Sequence, residues 1–146
     1  MRIAIASDHA GLAMKTELVA ALVELKLEVE DLGPADPASV DYPDYAKKVA
    51  DAVAGGKASL GVLICGTGIG MSISANKVHG IRAALCHTEF EARMSRAHND
   101  ANVLCLGQRV TGNGVARGIL EVFVKTAFEG GRHAARVGKM TALERL

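Results

Sequence analysis

Cys65-Gly66-Thr67-Gly68-Ile69-Gly70 ends an apolar run, Leu60 to Ile64, and precedes Met71-Ser72-Ile73-Ser74-Ala75-Asn76-Lys77. The run reads as a buried strand that delivers a cysteine to a sheet edge, and three glycines spaced two apart then open a helix. Glycines at such a turn let the backbone bend and its N–H groups face a ligand, where helix-end polarity favours negative charge. The same amides would stabilise a thiolate. The chemistry on offer is a base or nucleophile beside an anion hole. A tight strand-to-helix connection with a buried cysteine accounts for the same residues, so the motif alone does not choose.

Short β-like runs alternating with helical patterns must position that loop. Ile3 to Ala6 reads as a buried strand, and Leu18, Leu22 and Leu25 with Val19 and Val23 mark one face of a helix. A strand near Leu27 to Glu30 precedes the loop Gly33-Pro34-Ala35-Asp36-Pro37. Asp41 caps a helix with Pro43 in its first turn and Tyr45, Val49, Ala52 and Val53 inward, and Gly55-Gly56 stops it. After the glycine loop come a strand from Ile81 to Cys86, a helix from Thr88 to about Ala97 and a strand from Asn102 to Leu106. Val115, Ile119, Val122 and Phe123 define a further helix that Gly130-Gly131 ends, and Arg132 to Leu146 is a weakly helical tail.

These units predict an α/β fold of three layers, α/β/α: a five-stranded parallel, Rossmann-like sheet with helices on both faces and a C-terminal helical tail. Residues 1–146 form a single domain by size. Ligands in such folds bind outside the carboxyl ends of the strands, where strand order reverses. Ser7-Asp8-His9 and Cys65 to Gly70 sit at such ends, and they line one crevice if the first and third strands are neighbours.

Composition excludes several classes. Net charge is +1, hydrophobic residues make up 49% and charged residues 23%, which argues against a nucleic-acid or membrane-surface footprint. No stretch is long enough to span a bilayer and the first apolar run is too short for a signal peptide, so a cytoplasmic location is expected. Three cysteines, Cys65, Cys86 and Cys105, without C-x-x-C spacing read as reduced thiols, the latter two in the core. The glycine loop is not G-x-G-x-x-G after the first strand, and it lacks the Gly-Lys-Ser/Thr end of a P-loop. Cysteine stands where a receiver domain would carry its acceptor aspartate. A small phosphorylated or carboxylated substrate held by backbone amides remains.

Taken together, Ser7-Asp8-His9, Asp41-Tyr42-Pro43, Cys65 to Gly70, Ala75-Asn76-Lys77, Gly80-Ile81-Arg82-Ala83, His98-Asn99-Asp100-Ala101-Asn102 and Gly130-Gly131-Arg132-His133 through Arg136-Val137 resemble type B ribose-5-phosphate isomerases, in order and spacing. That family includes isomerases of allose 6-phosphate and galactose 6-phosphate. The resemblance implies the reaction more firmly than the sugar. A non-catalytic sugar-phosphate sensor is the competing reading, but it leaves a cysteine and a histidine at proton-transfer positions without a purpose.

Aldose–ketose isomerisation removes a proton from carbon 2, passes through an enediolate and returns a proton to carbon 1. The resemblance implies Cys65 as the base, His98 as the group that opens the sugar ring, and no metal or cofactor. A branch of the family carries serine at position 65 and glutamate at position 71. Cys65 and Met71 put this chain in the cysteine branch. Amides from Gly66 through Gly68 and Ile69 to Gly70 would face the enediolate, and Thr67 would orient the sugar. Asp8 would bind its hydroxyls. Tyr42 and Asn99 complete the implied sugar contacts, and His9, Arg109, Arg132 and Arg136 would hold the phosphate.

Structural readings stand beside these: Asp8 as a helix cap, His98 against a helix C-terminus, and Arg132 with Arg136 as a solvated helix face. Cys65 ends a strand while His98 closes the helix that returns to the opposite sheet edge. A strand of that length spans ~17–20 Å, so the two should not meet within one subunit. The resemblance implies a homodimer with composite sites, His98 and Asn99 coming from the partner, and it leaves tetramer formation open. Arg132 and Arg136 come from the partner as well, or from a wrapping tail.

Overall fold

A computed structural model describes residues 1–145. Five parallel strands, β1 (Arg2–Ser7), β2 (Glu28–Asp31), β3 (Leu60–Cys65), β4 (Ala83–Leu85) and β5 (Val103–Gly107), form one sheet in the order β2-β1-β3-β5-β4. Six helices connect or follow them: α1 (Leu12–Glu24), α2 (Tyr42–Ala54), α3 (Ile69–Ala75), α4 (Glu89–Ala97), α5 (Asn113–Lys125) and α6 (Arg132–Ala142). The three-layer α/β/α architecture expected from the alternating pattern is present.

Alternation along the strands sorts the side chains into two cores. Ile3, Ile5, Leu60, Val62, Ile64, Leu104 and Leu106 pack with α1 and α5 on one face. Ala4, Ala6, Leu63, Cys65, Val103 and Cys105 pack with α2 and α3 on the other. Both faces are covered, which is why the strands read as continuous apolar runs. Cys65 lies on the α2/α3 side.

Strand order reverses between β1 and β3: α1 leads outward to β2, and α2 carries the chain back across β1 to β3. Ser7 pairs with Ile64 in register, and the Asp8 amide donates to the Ile64 carbonyl at 3.1 Å. The loops after β1 and β3 are thus joined at their roots, as the expected crevice requires.

Several local expectations change. Val23 and Val115 are 60% and 53% exposed and belong to neither core, because each lies off the buried stripe of its helix. Asp41 precedes α2 but makes no side-chain cap bond. β4 is only three residues long, because Ile81 and Arg82 are drawn out of the ladder, into a turn with Val78 and onto Asn102 Oδ1 respectively. Gly130-Gly131 does not end α5. That helix stops at Lys125, where the Thr126 hydroxyl takes the Val122 carbonyl at 2.6 Å, and the glycines introduce α6. Leu146, at the end of the expected tail, lies outside the described residues.

A buried lysine fixes the loop between β2 and α2. Lys15, 3% exposed, donates to Asp31 Oδ1 at 2.8 Å and to the Pro34 carbonyl at 2.7 Å. Replacing it, Lys15→Met, strips a buried carbonyl of its donor at a cost of about 1–3 kcal/mol. The expected result is a melting temperature lowered by several degrees; an unchanged melting curve would contradict this role for Lys15.

Candidate active site

Cys65 is the last residue of β3 and is 4% exposed. The chain turns immediately after it, and Gly68 takes φ +79°, a left-handed conformation that L side chains rarely adopt. A Cβ there would also lie 2.6 Å from Leu85 Cδ1 and 2.9 Å from the Leu106 carbonyl carbon, so the position excludes any side chain. This geometry aims the Gly68 amide back at the cysteine, donating to Sγ at 3.1 Å.

Other bonds hold the loop rigid. The Ile69 amide donates to Thr67 Oγ1 at 3.2 Å, which leaves the Thr67 hydroxyl proton free to point elsewhere. Arg109 and Gln108 donate their amides to the carbonyls of Gly66 and Cys65, both at 2.9 Å. Gln108 in turn accepts from the Met14 amide, tying the loop after β5 to the start of α1.

These elements surround a cleft of ≈ 450 Å³ that Asp8, His9, Tyr42, Cys65, Gly66, Thr67, Ile69, Gly70 and Arg109 line, with Ala10 and Ile73. The Tyr42 ring lies on the backbone of Gly70, where a Cβ would come within 2.6 Å of it. Asp8 is both cap and wall: its Oδ1 accepts from the amides of Ala10 and Gly11 at 2.9 and 3.1 Å while the residue borders the cleft. His9 Nδ1 accepts from the Val40 amide at 3.2 Å, which puts the ring proton of the neutral imidazole on Nε2. His9 and Arg109 thus bring hydrogen-bond donors to the edge of a cleft that has a thiol at its floor.

Two amides of the loop already have partners within the fold. Gly68 does not line the cleft: it is buried beneath, and its amide serves the sulfur instead of a substrate oxygen. The Ile69 amide is likewise engaged by Thr67, although the residue itself borders the cleft.

His98, Asn99, Arg132 and Arg136 are elsewhere. His98 follows α4 and precedes β5, whose first residue, Val103, pairs with Gly61 near the start of β3. That is the sheet edge opposite Cys65. Asn99 borders a different cavity, of ≈ 810 Å³, between β4 and the α6 tail. Arg132 and Arg136 are exposed on α6.

Beside His98 stands His133, which the sequence reading assigned no role. It is 7% exposed, and its ring stacks on His98 with centroids 4.1 Å apart and planes 12° apart. Burial pushes the His133 pKa down, as do His98, Arg132 and Arg136, while Glu129 opposes the shift. The available signal was the four-residue spacing from Glu129 to His133 across a Gly-Gly turn.

Comparison with known proteins reports on the whole chain. A model of the ribose/galactose isomerase family matches residues 3–140. The chain belongs to that family. Ribose-5-phosphate isomerase B of Escherichia coli is 50% identical over 143 residues, 98% of this chain and 96% of that protein. A putative sugar phosphate isomerase of Bacillus subtilis is 52% identical over 145 residues, 99% of this chain and 97% of its own length. Among solved structures, Clostridium thermocellum ribose-5-phosphate isomerase B superposes with a TM-score of 0.98 at 52% identity, covering 99% and 98% of the two chains. The Mycoplasma genitalium enzyme, solved with bound ribulose 5-phosphate, gives 0.94 at 44% identity, covering 99% of this chain and 96% of its own. No helix among the described residues of this isomerase-family chain is long and apolar enough to cross a membrane.

The three thiols should react very differently. Burial pushes Cys86 up to about 11 and raises the pKa of Cys105 too. Both stay protonated near pH 8, whereas Cys65 borders the cleft and receives an amide N–H. Iodoacetamide is expected to label Cys65 alone, faster at higher pH, and to be blocked by ribose 5-phosphate. Equal labelling of all three cysteines would contradict this difference in access and protonation between Cys65 and the two core thiols.

Proposed function

We propose that residues 1–146 form one isomerase domain that interconverts ribose 5-phosphate and ribulose 5-phosphate through an enediolate. The observation that carries this reading is the Cys65 thiol, held under the Gly68 amide at the floor of a cleft edged by His9 and Arg109. Family membership, and half-identity to an enzyme named for this reaction, support the same substrate.

In this reading Cys65 removes the proton from carbon 2 and returns one to carbon 1. Its thiolate needs no metal, because backbone amides and the cationic edge carry the negative charge. Asp8, Tyr42 and Thr67 orient the sugar hydroxyls, with the amides of Gly66 and Gly70 beside the enediolate. His9 and Arg109 bind the phosphate. The cyclic sugar must open first, and His98 is the group that moves that proton.

His98, with Asn99, Arg132 and Arg136, reaches a Cys65 only from a second copy of the chain. The functional unit is then a cytoplasmic homodimer with two composite sites. Exposed Ile69, Ile73 and Phe90 offer apolar surface close to the cleft and on α4 for such pairing. The family description also names galactose, so six-carbon sugar phosphates are the second reading for the same site.

Of ribose 5-phosphate, allose 6-phosphate and galactose 6-phosphate offered in parallel, each read as its own ketose phosphate, ribose 5-phosphate should be converted most efficiently, to ribulose 5-phosphate. Cys65→Ala should lose at least ~100-fold in kcat, the scale of general-base catalysis, while the variant still folds and binds sugar phosphate. A loss of only a few-fold would remove Cys65 as the base. Subunit mixing tests the composite site: Cys65→Ala and His98→Ala homodimers are each inactive, but after dissociation and reassembly random pairing should restore roughly a quarter of wild-type sites. Confirmed exchange without activity would place both residues in one subunit.

A further inference from the structure

Glu129 occupies a place that none of the roles above explains. Its amide donates to the Ala97 carbonyl at 3.0 Å, which pins the segment between α5 and α6 against the residue preceding His98. Its Oε2 lies 3.8 Å from His98 Nε2 and 3.5 Å from His133 Nε2, so one carboxylate oxygen faces both rings of the stacked pair. Asp100, close to His98 in sequence, is instead held by Arg82 and Arg96. Among the described residues Glu129 is the one carboxylate paired with His98.

Two imidazoles and a carboxylate within 4.8 Å could suggest a metal site. The geometry argues otherwise. Near-parallel rings direct their nitrogen lone pairs side by side instead of at one point, and Arg132 and Arg136 bring positive charge to His133. The arrangement suits the handling of a proton better than a dication.

We propose that Glu129 is a positioning residue that fixes the tautomer of His98. This rests on the ring-opening role given to His98 above. A small swing of the half-exposed carboxylate closes the 3.8 Å gap to a hydrogen bond from His98 Nε2–H, and a proton fixed on Nε2 leaves Nδ1 as the basic atom. His133 forms the plate on which the ring is held flat. In ring opening, His98 Nδ1 takes the proton of the anomeric hydroxyl as the C1–O4 bond breaks. The bonding pair goes to O4, which takes the proton from the imidazolium and becomes the C4 hydroxyl. A ring protonated on Nδ1 instead would carry its basic nitrogen, Nε2, beside Glu129 in place of the sugar, the same logic by which a buried carboxylate orients the histidine of a serine hydrolase.

The test uses the intact protein. Long-range 1H–15N spectra of the imidazoles, with the His98 signals assigned by their loss in His98→Ala, should show His98 protonated on Nε2 in the wild type. In Glu129→Ala they should show a shift toward the Nδ1–H form. The same variant should lose roughly 10- to 100-fold in kcat on ribose 5-phosphate with KM within about twofold, the pattern of a lost orienting group. Glu129→Gln, which keeps an acceptor oxygen without the charge, should recover part of that loss. An unchanged tautomer, an unchanged kcat or a rise in KM alone would overturn the proposal. If His98→Ala is inactive while Glu129→Ala behaves as wild type, only the role of Glu129 falls; if His98→Ala is active, the ring-opening role itself falls.

Discussion

Backbone-to-backbone crowding at the carboxyl ends of β3 and β5 is the constraint on which the site depends. A Cβ at Gly107 would lie 2.5 Å from the carbonyl of Thr67, and one at Gly68 would lie 2.9 Å from the carbonyl carbon of Leu106. The two loops can approach this closely only because neither position carries a side chain. That approach lets the amides of Gln108 and Arg109 bond the carbonyls of Cys65 and Gly66, which carries the Arg109 guanidinium to the cleft. The same compression turns the Gly68 amide toward the sulfur. The amide-to-sulfur bond and the delivery of a cation are two results of one packing arrangement.

The sheet order provides the matching constraint from the other side. With β1 beside β3, the Asp8 loop is bonded directly to the last residues of β3. Asp8 then spends one carboxylate oxygen on its own turn and borders the cleft at the same time. Capping and ligand binding are not competing explanations for this residue: the cap is what holds the carboxylate still. Lys15 does similar work at longer range, holding the loop that leads to Val40, the partner of His9, and to Tyr42.

Separation is as informative as convergence. Chemistry-bearing side chains fall into two groups at opposite sheet edges, one around Cys65 and one around His98 and His133. In the proposed mechanism each group is one half of a shared site. The first has a thiol and hydrogen-bond donors, and the second has stacked imidazoles beside two arginines. The proposed two-fold pairing would complete both halves at once, because an isologous contact brings each patch of one copy to the other patch of its partner.

Much of this was legible in the residues themselves. Alternating apolar runs and helical stripes determined a parallel α/β sheet. The glycine spacing after Leu60–Ile64 marked the loop that borders the cleft, because a left-handed φ and a close backbone approach can be met only by glycine. Element ends were less legible. Gly130-Gly131 looked like a helix stop but serves as a helix entrance, since the same positive-φ residue suits either end and only the Thr126 hydroxyl decides where α5 finishes. The sequence also named His98 and placed it at the far edge of the sheet from Cys65. What only the tertiary structure decided is which polar groups are spent on the fold and which remain for a ligand: the Gly68 amide on sulfur, Asp8 Oδ1 on its turn, Asp100 on two arginines, and Glu129 beside two imidazoles. Those assignments depend on distances between segments far apart in the chain, and no local pattern of residue types encodes them.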